Sequence, residues 1–360
     1  MSLRSKLAKQ AALSGEALRR MPWRQLIAAR RRTDAEVVVW LHHQHPDPWW
    51  RWLANGDTAL KDVALLKAVA ATGRSYRVVT GPRIGGVTNS TIVYSINSFN
   101  PAGLADHSAG LRATLRALEA QGNTLHPSAD EAEFWENKVF MHRRFDELGV
   151  RSPRTVAVTP DTDLAAALAA AGLDFPLLVK EPHSCNGRGL HLVDDAAALE
   201  GVRAELAAEG GHQLLVQELL DMRRDLRVTL VGGRIVHHYW RVNESDEWKP
   251  TTTRGGSRAD FVTFPEAWRE RIEATVQRLG LRNAAFDVCW AGDDLDTEPY
   301  FLEVSPGYTP NPPPPPAYAD RPYRDFTQQL TGPDSYARRA ADLLEDLHRQ
   351  VVDAWGLSRR

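Results

Sequence analysis

Two carboxylates near the end of the chain sit where carboxylates are least expected. Asp287 lies in the apolar run Ala284–Trp290 and Glu303 in the run Tyr300–Ser305. Both runs read as strands, and a loop centred near Leu295 makes them a hairpin in which the two residues face each other. Opposed residues have Cβ atoms ~5 Å apart, and like charges there are destabilising. A hard divalent cation with oxygen ligands, Mg2+ above all, supplies compensation, with Mn2+ the alternative ion. On spacing alone, one carboxylate can instead turn to solvent or pair with an arginine.

The remaining chemistry is cationic or small. Lys180 ends an apolar strand and is followed by His183-Ser184-Cys185-Asn186-Gly187-Arg188-Gly189. Small residues there let backbone N–H groups close over a polyphosphate, although glycine also serves plain turns. The loop lacks the Gly-Lys-Ser/Thr ending of a Walker A motif; a separate lysine and a mobile cover is the other common solution. Lys138 shares a helix face with Phe134, Met141, Phe145 and Leu148, so it is either a snorkelling stem or a cation aimed at an anionic ligand. Gln217, Glu218 and Leu220 lead from a strand into a connector that can present backbone groups to an adenine edge, and Asp225 can accept from ribose hydroxyls. Arg227, Arg241 and Arg254 have the forked geometry that suits carboxylate and phosphate oxygens, including oxygens that gain charge in a transition state. Any of the three can equally be a surface arginine.

These residues need elements to position them. Residues 36–40 read as a buried strand, with further strands at Tyr76–Thr80 and Thr91–Ile96 and a helix near Ala102–Ala120. Strands alternating with helices imply a parallel, doubly wound sheet, with ligands beyond its carboxyl ends. Two loops belong there, His42–His45 with Trp49, Trp50 and Trp52, and Asn97–Pro101. No cysteine or spaced carboxylate completes a metal shell around the histidines, which leaves substrate contact or loop packing. Ser128 and Glu131 form a capping box opening a helix expected to run to Leu148 and stop at Gly149. Beyond it come strands at Arg154–Val158, Phe175–Lys180, Leu190–Val193 and Gln213–Gln217. Helices are expected at Asp163–Ala171 and Ala196–Glu209. A hairpin of Asp225–Val231 and Arg234–Arg241 turns on Gly232-Gly233, a helix spans Pro265–Leu279, and a last one spans Ser335–Trp355.

The chain has 360 residues, 43% of them apolar and 25% charged, a composition that excludes disorder and a disulfide-stapled miniprotein. No apolar run approaches the ~20 residues of a bilayer span. Two cysteines, Cys185 and Cys289, are too few for a disulfide framework, and no signal or lipidation pattern is visible, so a cytoplasmic location is expected. Net charge is −2 but uneven, with +8 in residues 1–32 and −10 in the rest. The basic segment reads as amphipathic helix, packed on the body or docking a partner, with nucleic acid not expected.

In order, ENKVFMHRRFDELGVRSPRT, FPLLVKEPHSCNGRGLHLV, LLVQELLDMRRDLRVTLVGGRIV, TTTRGGS, AAFDVCW and FLEVSPGYTPNPP resemble the ATP-grasp superfamily. The likeness is greatest to the branch of ribosomal-protein glutamate ligases and prokaryotic glutathione synthetases, and covers about residues 130–310. It implies an α/β protein: a basic helical leader (1–32), an N-terminal parallel α/β domain (33–127), a two-lobed ATP-grasp region (128–330, lobes about 152–217 and 218–330) and a packed C-terminal helix (331–360). It also implies ATP and Mg2+ as cofactors, with Lys138 and Lys180 on the phosphates under a lid of His183–Gly189. Gln217, Glu218 and Leu220 would contact adenine, and Asp225 the ribose. Asp287 and Glu303, with Ser305, would bind magnesium, while Arg227, Arg241 and Arg254 would steady the substrate carboxylate and the acyl phosphate. The implied reaction joins a carboxylate to an amine of a small molecule or peptide; a kinase and a non-catalytic nucleotide-binding or partner-docking protein are the alternatives, and homo-oligomers are compatible with any of them. Two positions depart from the family pattern. Ser305 stands where an Asn is usual, and Thr251, Thr252 and Thr253 precede the Arg-Gly-Gly loop where an Asn is common. Asn311 is a candidate to compensate for Ser305.

Overall fold

A computed structural model describes residues 3–41, 54–82, 84–96, 104–183, 189–208, 213–245, 248–253 and 256–358. The His42–His45 cluster, its tryptophans, the Asn97–Pro101 loop, Ser184, Cys185, Asn186, Gly187 and Arg254 lie outside the described residues.

The chain opens with helices α1 (Leu3–Arg20) and α2 (Trp23–Arg30), followed by β1 (Val37–Leu41), α3 (Gly56–Ala71), β2 (Tyr76–Thr80), β3 (Thr91–Tyr94), α4 (Leu104–Ala120) and β4 (Thr124–His126). The four strands form a parallel sheet in the order β2-β1-β3-β4. β1 is apolar throughout because it faces two cores. Val37, Val39 and Leu41 pack with α3, whereas Val38 and Trp40 pack with α4, which is the reason a doubly covered strand reads as an unbroken hydrophobic run. The basic leader is part of this body. Leu13, Ala17 and Met21 are buried in the same cluster as α3, while Leu7, Trp23 and Ile27 stay exposed.

The helix expected over 128–148 is two helices. The Ser128–Glu131 capping box starts α5 (Ala129–Ala132). The chain then turns through Glu136, whose φ is +49°, and restarts at α6 (Lys138–Glu147), capped by the Asn137 side chain on the Phe140 N–H. A second N-cap donates an alternative to continued helix, and it moves Lys138 from mid-helix to the first turn.

A small lobe follows: β5 (Thr155–Val158), α7 (Leu164–Ala171), β6 (Leu177–Lys180), β7 (Leu190–Val193), α8 (Ala196–Ala208) and β8 (Leu214–Glu218), with an antiparallel sheet β5-β8-β6-β7. The large lobe contains β9 (Arg224–Val231), β10 (Arg234–Val242), β11 (Arg258–Asp260), α9 (Arg269–Arg278), β12 (Asn283–Cys289) and β13 (Tyr300–Ser305). Its antiparallel sheet runs β11-β10-β9-β12-β13. The expected helix at Pro265–Leu279 begins as a 3-10 turn at Glu266–Trp268 before α9. After α10 (Tyr323–Phe326), α11 (Tyr336–Ala354) packs on α1, α3 and β9, joining the N-terminal body to the large lobe. Among the described residues no helix is long and apolar enough to cross a membrane.

Candidate functional site

Alternation along the large-lobe strands sorts the residues of the site. Leu226, Val228 and Leu230 of β9, and Phe286 and Val288 of β12, fill the lobe's core. The opposite face therefore carries Asp225, Arg227 and Asp287, because successive side chains on a strand point to opposite faces. Register pairs Asp287 with Glu303 across β12 and β13, with an irregularity just past them, between Asp287 and Val288. A bulge at such a point re-aims side chains.

Charge on this face is paired. Arg227 donates to Asp287 Oδ1 at 2.6 Å, and Arg241 reaches Asp287 Oδ2 at 2.9 Å. Arg241 also donates through Nε to Asp225 Oδ1 at 2.8 Å and through Nη2 to Asp225 Oδ2. Burial works to raise Asp287, and Arg227 and Arg241 outweigh it, so its carboxyl lies below the usual range. Arg241 is held well above its ordinary value against desolvation, chiefly by Asp225 and then Asp287.

The lysines approach from the other elements. Lys138 at the start of α6 lies 3.7 Å from Glu303 Oε1, and its backbone N–H donates to Pro182 O at the root of the small-residue loop. Lys180 ends β6, where desolvation lowers it to about 8 despite Glu303. Gly189 closes the far side of that loop. Its carbonyl accepts from Glu181 N, its φ is +61°, and a Cβ there would lie 2.6 Å from the Glu181 carboxyl carbon, so only glycine fits.

Several expected contacts take a different form. Asp225 is 1% exposed and held by Arg241 and by Thr251; it is an anchor for the arginine, not an open acceptor for a ribose. Gln217 is buried and donates to Thr155 Oγ1 at 2.7 Å. The Glu218 carboxylate takes Arg154 N and Nε, both at 2.8 Å. Neither side chain is offered outward, so any adenine contact at Gln217–Leu220 belongs to the backbone. The Ser305 hydroxyl donates to Gly307 O at 3.0 Å and accepts from Gly307 N at 3.1 Å, which makes it a turn residue rather than a metal ligand. Asn311 is held through Nδ2, which donates to Tyr239 Oη at 3.0 Å and Thr253 Oγ1 at 3.3 Å.

Sequence reasoning missed three groups beside these. Glu136, at the break before α6, has a buried Oε2 without a partner; burial first, then Glu303, raise it to about 7 against Lys138. His142, one helical turn past Lys138, is buried and lowered to about 3 by desolvation, then by Lys180 and Lys138. Its i+4 spacing from Lys138 was the available signal. Tyr308 is a desolvated phenol near Arg227.

The donor set suits a magnesium polyphosphate. Mg2+ takes one or two protein carboxylates and leaves its other positions to phosphates and water. Each carboxylate oxygen has two lone pairs, so Asp287 can ligate while its arginines remain. Among the described residues no three His, Cys, Asp or Glu side chains gather as a metal cage.

Residues 136–305 match the RimK-like ATP-grasp domain family. The ATP-grasp match holds Lys138, Lys180, Asp287 and Glu303 within its bounds. A tetrahydromethanopterin:alpha-L-glutamate ligase of Methanosarcina acetivorans is 28% identical over 186 residues, covering 48% of this chain and 56% of that protein. An N5-carboxyaminoimidazole ribonucleotide synthase of Mycobacterium leprae is 29% identical over 187 residues, covering 50% and 41%. The chain thus spans about half the length, or less, of these curated relatives. The fold is shared with a D-alanine–D-alanine ligase of Bacillus anthracis solved with ATP (TM-score 0.53, 12% identity, 90% of this chain and 97% of that one).

Proposed function

We propose that the protein is an ATP- and Mg2+-dependent ligase that joins a carboxylate to an amine through an acyl phosphate. The observation that carries this reading is the opposition of Asp287 and Glu303 beside Lys138 and Lys180, inside an ATP-grasp domain. Asp287 and Glu303 are the residues that would hold the metal, which would neutralise phosphate charge and favour in-line transfer of the γ-phosphoryl group. Lys138 and Lys180 hold the polyphosphate from the first turn of α6 and the end of β6. The backbone of Gln217–Leu220 meets the adenine, and the segment closed by Gly189, with Ser184, Asn186 and Gly187, covers the phosphates. Arg227 and Arg241, with Arg254 from its loop, stabilise charge that grows on the substrate carboxylate. The carboxylate oxygen attacks the γ-phosphorus with loss of ADP; the amine then attacks the acyl carbon, expelling phosphate and losing a proton. Relatives in the glutamate-ligase and synthase groups favour an amino-acid, peptide or small-metabolite substrate.

The test is ADP release across a pool of amino acids and small peptides, with hydroxylamine present in a parallel series. ADP release that needs both an acid and an amine, and hydroxamate formed from the acid, supports ligation; ADP without hydroxamate indicates a kinase. Glu303→Gln is expected to cut turnover by roughly 10^2–10^3-fold, and full turnover in that variant removes the metal assignment. The engagement of Ser305 with Gly307 favours a second reading, nucleotide binding without turnover. ATP binding with no ADP release over the whole pool would select it.

A further inference from the structure

The parallel sheet reverses its strand order at β1, with β2 on one side and β3 on the other. Ligands in such sheets bind at the carboxyl ends flanking that reversal. A cavity of about 60 Å³ lies there, past the end of β3, between α3, α11 and the Pro306–Pro310 segment that follows β13.

Its polar lining is unbalanced. Lys61 of α3 is 7% exposed, and its ammonium donates to Ile96 O at 2.9 Å, one acceptor for three donors. Among the described residues no aspartate or glutamate lines the cavity, while Asp62 and then Asp57 act on Lys61 from outside it. Two further donors on its wall, Asn283 Nδ2 and Trp355 Nε1, are buried without an acceptor. His348 adds no charge: its Nδ1 donates to Leu344 O, and burial, then Lys61, lowers it to about 4. A buried cation and two orphaned donors in one cavity call for an acceptor-rich anion, because unpaired buried polar groups are costly.

Size and lining narrow the class. One positive charge matches a monoanion rather than a phosphate dianion. Ile96, Leu344, Leu347 and Val351 give the wall an apolar side, beside the hydroxyl-bearing Tyr94, Ser95 and Tyr308. The pocket also adjoins the charged face of the large lobe, since Tyr308 lines it and lies near enough to Arg227 to be influenced by its charge. Gly307, in the same segment, packs so closely on Ile96 and Trp135 that a Cβ would lie 2.7 Å from Ile96 Cγ2, which fixes this segment against the end of β3.

We propose that the Lys61 cavity is a subsite for a small carboxylate with a short apolar tail, its two oxygens received by Lys61, Asn283 and Trp355. Resting on the ligase reading, it anchors a non-reacting carboxylate of one substrate beside the large-lobe arginines.

Propionate, its neutral isostere propionamide, and chloride at equal ionic strength are titrated against the full chain, with melting temperature and calorimetric binding as readouts. Propionate is expected to raise the melting temperature saturably, propionamide and chloride to leave it unchanged, and Lys61→Met to weaken propionate at least about tenfold, the scale of one lost charge-assisted hydrogen bond. Asn283→Asp keeps the acceptor for Gly232 N and places an acid in the pocket, so it too should weaken propionate binding. Equal effects of propionamide or chloride, propionate binding unchanged in both variants, or no response to propionate would overturn the proposal. ATP binding is measured on the same wild-type samples. Its failure sinks the ligase reading, while the propionate series decides the pocket by itself.

Discussion

The arginines and the lysines of this molecule solve the same burial problem in opposite ways. On the large-lobe face, Arg227 and Arg241 are tied to Asp287 and Asp225 by short contacts, so each charge is answered within the fold. Lys180 and Lys61 are desolvated to about 8, and Lys61 has a single carbonyl as partner. A balanced buried pair costs desolvation and returns much of it as attraction; breaking one is expensive, while removing an unbalanced charge relieves the fold. The arginine face is therefore read as a scaffold that aims Asp287 and keeps its remaining N–H groups for the substrate carboxylate, and Lys180 and Lys61 as cations waiting for an anion.

The sharpest way to break this contrast is at Arg241. Arg241→Met leaves Asp225, 1% exposed, without its bidentate partner, and should cost about 3–5 kcal/mol of stability, read by denaturant unfolding. Adding Asp225→Leu should recover most of that loss, since the pair can be replaced by apolar groups more cheaply than it can be halved. A single variant as stable as the parent would mean that the network is not structural.

Lys180→Met is expected to do the reverse. It should weaken ATP binding by roughly tenfold or more, the scale of one charge-assisted contact to phosphate, yet leave the ligand-free protein as stable as the parent or more so. Calorimetric titration and thermal unfolding read the two halves separately. A variant that binds ATP normally, or that unfolds far earlier, would place Lys180 with the arginines.

How much of this contrast was legible in the sequence depends on the residue. The opposition of Asp287 and Glu303 matches a hairpin centred at Leu295, although the irregularity in β12–β13 lies between that pair and the turn. The pairing of Arg241 with Asp225 does not follow from spacing. Counting from the Gly232-Gly233 turn sets Asp225 opposite Trp240, and a register shift between Ile235 and His237 makes it Arg241. A bulge carries no dependable residue signature, so the ribose role expected of Asp225 had nothing in the sequence to contradict it. Lys61 was hidden for another reason. The helix that bears it, α3, is buried on nearly every side, and a helix buried all round lacks the one-faced 3.6-residue rhythm by which surface helices are recognised. The restart at Asn137 was legible in principle as a second cap, but a strong apolar period from Phe134 to Leu148 spoke for one continuous helix.

The smallest expected effect is a pH dependence, and its sign separates lysines from arginines. An unfolded lysine titrates near ~10.4, whereas desolvation brings folded Lys180 and Lys61 to about 8. Between those values the unfolded chain binds more protons than the folded one, so the contribution of each lysine to stability rises with pH. Below about pH 8 both forms are protonated and the full cost of burying the charge is present; above ~10.4 it is gone. Arg227 and Arg241, raised from their ordinary values, stay charged throughout and add no slope. His142 and His348, lowered to about 3 and about 4, are neutral over the same interval. The parent melting temperature, compared with that of the Lys61→Met, Lys180→Met double variant, should climb between about pH 8 and 10, while ATP binding to the parent weakens as Lys180 loses its proton. Parallel curves for the two proteins would mean that both lysines keep ordinary affinity for their protons and are already paired in the free protein.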